Sequence, residues 1–98
     1  MIAVKFKKWD CIVHFSKYTE NDRTAITLID AMDGSPVAKS TVNIGEAPLE
    51  DDEVIIKGWS ENEGMQDALI EAGIIGPEIQ IITNSLAEAT IHKLLIRN

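Results

Sequence analysis

The chain has 98 residues, 45% of them hydrophobic and 26% charged, with a formal net charge of −7. That length suits one domain, residues 1 to 98, and the acidic balance argues against the chain itself gripping nucleic-acid phosphates, which calls for lysine and arginine. A single cysteine, Cys11, allows no internal disulfide and fits a reducing compartment, and no apolar run approaches the roughly 20 residues of a membrane span.

The opening MIAVKFKKWD interleaves lysines with apolar residues and lacks the apolar core of a signal peptide, so a cytoplasmic protein is expected. Ile2, Val4 and Phe6 alternate on one strand, and Cys11, Val13 and Phe15 alternate on a second, with Trp9-Asp10 as the turn between them. After YTEND the alternation resumes with Ile26 and Leu28. Asp33-Gly34 supplies the positive-φ residues of a tight hairpin turn, followed by VAKSTVNI with Ala38, Val42 and Ile44 aligned. VIIKG is short, β-branched and apolar enough for a central strand.

The period then changes. Ser60 followed three residues later by Glu63 has the form of a capping box, and Gly73 stands where a left-handed C-terminal residue is wanted, which predicts one helix over 60–73. Met65, Ala68, Leu69 and Ala72 form its docking stripe, and Pro77 stops the pattern. Ile79 and Ile81 alternate in a further strand, Asn84-Ser85 makes a turn, and a last strand runs to about Ile96. The expected fold class is α+β: one helix packed on a mostly antiparallel sheet of five to seven strands.

The charge is segregated. Residues 46–72 hold nine carboxylates against one lysine, so the rest of the chain sums to +1. In the predicted helix, Glu63, Asp67 and Glu71 recur every four residues and stack in a row about 6 Å apart. Like charges at that spacing cost roughly 0.2–0.5 kcal/mol per pair, with no basic residue in the helix to offset them, and Glu71 also faces the negative end of the helix dipole. Ile70 lies about 20° from Glu63 around the helix, an apolar residue among acids, as contact surfaces are made. With the contiguous Glu50, Asp51, Asp52 and Glu53, these residues and Trp59 form the candidate partner-binding set.

Other chemistry is less well supported. EDDE at 50–53 lacks the alternate spacing and mid-loop glycine of a calcium loop, and Cys11 and His14 face opposite ways on a strand, which leaves no metal or cofactor site. Cys11 belongs to the core, where burial raises a thiol's pKa and makes it inert, and His14 and His92 read as surface or half-buried imidazoles. No serine sits in a nucleophile elbow, so no catalytic residue is assigned and a non-enzyme is expected. A basic protein surface is the expected partner, with no membrane and no direct nucleic-acid contact. The alternatives are binding to a host protein that is not a nuclease, and a face that is merely solvated.

The segments W-D-C at 9–11, R-T-A-I at 23–26, D-A-M-D-G-S-P at 30–36, V-N at 42–43, P-L-E-D-D-E-V at 48–54 and S-E-N-E-G-M at 60–65 together resemble a family of small proteins carried by phages and mobile elements of Firmicutes and other gut bacteria. The resemblance covers about residues 4 to 75 and thins from Pro77. It implies a small α+β protein in the cytoplasm of a bacterial host, and transfers no catalytic or binding residue. In size, acidity and setting the chain is similar to anti-CRISPR proteins, which implies direct inhibition of a Cas9-type nuclease or its guide-RNA complex through an acidic surface resembling DNA.

Overall fold

Apolar residues at every second position build the first half into an antiparallel meander. In the computed structural model, which describes residues 2–83 and 87–96, the strands are β1 (Ala3–Phe6), β2 (Trp9–Lys17), β3 (Thr24–Asp30) and β4 (Pro36–Lys39). They pair in chain order. Cys11 and Val13 are buried as their alternation predicts, Val13 facing Leu28 across the ladder and Phe15 facing Ile26, and Ile26 and Leu28 are fully enclosed.

Two turns differ from expectation. Phe6 pairs with Trp9, so the first turn is Lys7-Lys8 rather than Trp9-Asp10, and Lys7 takes the positive φ (54°). Trp9 stays in the ladder because its ring covers the core edge. The second connection spans Ala31–Ser35. Only Gly34 takes positive φ there, at 76°, while the Asp33 carboxylate accepts from the Ser35 backbone N–H and hydroxyl. Those bonds hold the Asp33 carboxyl below its usual range, the Ser35 hydroxyl acting most strongly.

The strand expected through VAKSTVNI ends at Lys39. Ser40 and Thr41 are buried, and the regular ladder stops there because the Thr41 hydroxyl takes the Ile26 N–H while the Ser40 carbonyl accepts from the Lys57 N–H. Thr41 Oγ1 accepts from the Ile26 N–H at 3.2 Å and lies 2.9 Å from the Tyr18 hydroxyl, while Ser40 Oγ donates to Met65 Sδ at 3.2 Å. Thr41 then bridges to Ile56, and Val42 N–H donates to Ile55 O, so this short segment joins the meander to a second sheet.

That second sheet contains β5 (Glu53–Ile56), β6 (Ile75–Thr83) and β7 (Glu88–Leu94), in the order β5-β7-β6. β5 is therefore at the edge of its ladder and β7 is the central strand. The unbroken apolar run of β5 has another cause, since both of its faces are covered. Val54 and Ile56 join the main core with Val4, Phe6, Leu28 and Leu94, while Ile55 joins Ala47, Ala89 and Ile91 on the reverse side under Val42, Ile44 and Leu49.

The predicted helix is split. Ser60–Asn62 forms one 3-10 turn, and α1 spans only Met65–Glu71. Gly64, at φ 89°, sits between them as the cap of α1, and Ser60 has φ 58°, outside the extended backbone that a capping serine requires. No side-chain cap bond forms at either start. The docking stripe holds: Met65 and Leu69 are fully buried and Ala68 and Ala72 pack against them, with Gly73 closing the helix at φ 77°. β6 begins before Pro77, which it tolerates as an edge strand with irregular register between Ile75 and Gln80. Ile79 and Ile81 on that strand are about half exposed. The expected turn at Asn84-Ser85 lies outside the described residues, and β7 ends at Leu94, short of Ile96.

Candidate functional site

The acidic residues divide into two groups separated by β5, a strand roughly 13 Å long at 3.3 Å per residue. Glu50 and Asp51 are exposed in the turn that enters it. Asp52 and Glu53 are not free: Lys93 Nζ stands 2.9 Å from Asp52 Oδ1 and 3.7 Å from Glu53 Oε2, and the Glu50 backbone N–H donates to Glu53 Oε1 at 2.9 Å. Lys93 is held protonated above its usual range, mainly by the bond to Asp52. Beside this turn lies a polar cleft of about 410 Å³, in which Glu50, Asp51 and Glu53 share the lining with Lys17 and Arg23. Arg23 is already committed, donating to Ile44 O at 2.8 Å and Ala47 O at 2.6 Å, and so pins the acidic connection to the meander.

The second group follows β5. Glu61 bonds Lys57 at 2.6 Å, and with help from its own N–H and the Ser60 hydroxyl its carboxyl is pulled down to about 2. Glu63 is exposed but precedes Gly64 and so is not part of α1, which removes it from the expected three-residue row. Asp67 and Glu71 remain, one turn apart on the outer face of α1, with Ile70 39% exposed beside them. Trp59 is half-buried against the reverse-side cluster with the Lys57 ammonium 5.7 Å from its ring centre. α1 docks on the main core instead. The structure therefore does not bring Trp59 and Ile70 onto one surface, because β5 alternates and each residue follows a different face.

Cys11 is buried, and its thiol is pushed up by burial first and then by Asp30 and Asp10, with Lys5 opposing. His14 is exposed, within the surface or half-buried placement expected of both imidazoles, but His92 is 1% exposed and lies outside it. Its Nδ1 lies 2.9 Å from Gly76 O and its Nε2 lies 2.8 Å from Thr90 Oγ1, which accepts from Gln66 Nε2 at 3.2 Å. Because Gly76 O can only accept, Nδ1 carries the proton and Nε2 accepts from the Thr90 hydroxyl, which closes a directed chain from α1 to β6. Thr90 and His92 alternate with the apolar Ala89 and Ile91 on β7 and are nonetheless buried, Thr90 bonded to Gln66 of α1 and His92 to Gly76 of β6. Among the described residues, no group of three His, Cys, Asp or Glu is placed to hold a metal ion.

No family model, curated protein or solved structure matches this chain. No helix among the described residues is long and apolar enough to cross a membrane.

Proposed function

We propose that this chain is a binding protein of a phage or mobile element that inhibits a bacterial host's defence by direct contact, acting as an anti-CRISPR protein on the basic nucleic-acid channel of a Cas9-type nuclease or its guide-RNA complex. One observation carries this reading. Glu50, Asp51, Glu63, Asp67 and Glu71 project into solvent with no ion pair to the protein's own cations among the described residues. Uncompensated carboxylates on a chain of −7 attract a positively charged groove over a Debye length and speed encounter. The contact set is narrower than the sequence suggests, because Asp52 and Glu53 already satisfy Lys93.

The test mixes the protein with guide-loaded nuclease and target DNA at low and high salt. Inhibition that weakens with salt, and that is lost on reversing Asp51, Glu63 and Asp67 to lysine, supports the proposal. Unchanged cleavage at large molar excess removes this target. A second reading rests on Ile70, exposed between Asp67 and Glu71 on α1. A host protein other than a nuclease, docking on that apolar point, would bind with little salt dependence and be lost in Ile70→Asp but not in the charge-reversed variant.

A further inference from the structure

The open side of β4 borders a groove of about 690 Å³ that is opposite in charge to the rest of the surface. Its walls are the whole of β4 on one side and Thr41–Asn43 with Lys57, Glu61 and Asn62 on the other, with the Tyr18 ring as part of the apolar floor. Two lysines face one glutamate there, on a chain whose net charge is −7. Lys57 is shared with Glu61, but Lys39 Nζ has no carboxylate within ion-pair distance among the described residues and lies 5.2 Å from the Tyr18 ring centre. Glu20, outside the lining, feels Lys39 only as the weakest of the influences on its carboxyl.

Backbone geometry makes the groove suited to an extended chain. Ser40 N–H donates to Ile26 O, so in the alternating antiparallel ladder Lys39, opposite Thr27, turns its N–H and C=O away from β3. The Lys39 carbonyl accepts from Asn62 Nδ2 at 2.7 Å. The Lys39 N–H has no partner among the described residues and faces the same outer side of β4 as its carbonyl. The walls are already fixed: Asn62 also donates to Lys57 O at 3.1 Å, Lys57 N–H donates to Ser40 O at 2.8 Å, and the Tyr18 hydroxyl is tied to Thr41. A preformed apolar channel beside a strand edge, with an unpaired amide and an unpaired ammonium, is built to receive a strand from another chain.

We propose that this groove binds an extended acidic peptide segment of a partner protein, which adds to β4 through its main chain and places a carboxylate on Lys39. This site is separate from the acidic surface discussed above and does not depend on it. The test is an amide NMR titration with the peptide Ac-Glu-Val-Thr-Val-Glu-NH2 and its lysine counterpart Ac-Lys-Val-Thr-Val-Lys-NH2. The acidic peptide is expected to shift the amides of residues 37–43 and 57–62, and the lysine peptide to leave them in place. Lys39→Glu is expected to weaken binding by about tenfold or more, while Lys5→Glu, the same charge change on β1 at the opposite edge of the meander, leaves it intact. Equal binding of both peptides, shifts elsewhere, no shifts, or equal losses in the two variants would each overturn the proposal.

Discussion

Lys93 on β7 holds Asp52 by both carboxylate oxygens, at 2.9 and 3.1 Å, and stands 3.7 Å from Glu53, its cross-strand partner on β5. The Asp52 and Lys93 side chains are close to half exposed, so water screens the pair, and Lys93→Ala is expected to leave the midpoint of chemical denaturation almost unchanged. The same change takes the Lys93 ammonium from beside two carboxylates. If the acidic surface recruits a basic partner, Lys93→Ala raises the association rate at low salt; a slower or unchanged rate counts against that recruitment.

Gly64 joins the 3-10 turn to α1 at φ 89°, and a Cβ there meets nothing within 4 Å. The expected cost of Gly64→Ala is therefore backbone strain alone, about 1 kcal/mol, with Gly64→Asn less harmful because asparagine tolerates this region. Thermal unfolding of both variants checks the ranking, and an alanine variant as stable as the parent would mean that the turn can straighten into a longer helix.

Thr90→Val keeps the side chain's shape but removes the donor to His92 Nε2 and the acceptor for Gln66. Two buried or half-buried polar groups are left unsatisfied, and a loss of about 1–3 kcal/mol is expected. Urea unfolding measures it. No change in midpoint would show that the hydroxyl chain from α1 to β7 is dispensable.

Glu61 is held at about 2, down from 4.5, chiefly by Lys57. A lowered folded-state value means a contribution fully present above pH 4.5 that disappears as the pH falls toward 2. The stability difference between the parent and Glu61→Gln is thus expected to be constant near neutrality and to close between pH 4.5 and 2. A difference that persists at pH 2 would assign it to packing.

The alternation of Cys11-Val13 and Ile26-Leu28 made the meander legible, as did the stripe Met65, Leu69 and the stop at Gly73, because each depends on local period alone. The helix start was not legible. Ser60 and Glu63 have the spacing of a reciprocal cap, yet Asn62 is drawn inward to bond two carbonyls, Lys39 O and Lys57 O, and Ser60 and Gly64 are forced to positive φ on either side of it. The enclosed His92 was hidden for a similar reason, since its partners Thr90 and Gly76, and the Gln66 that bonds Thr90, are brought together only by tertiary packing. At the candidate surface, Asp67, Ile70 and Glu71 keep the arrangement expected of them, but the pairing of Asp52 and Glu53 with Lys93 comes from strand register across 41 residues, which no local pattern encodes.

The order of strands has a consequence for synthesis. β1 to β4 pair only with sequence neighbours, so the meander can close as soon as residue 39 has left the ribosome. β5 is then already made, apolar on both faces, and its ladder partner β7 is translated only after α1 and β6. During that interval β5 is held by the segment from Ser40 to Val42 and by the turn at Glu50, and these few bonds are what stand between a waiting hydrophobic strand and capture by another nascent chain.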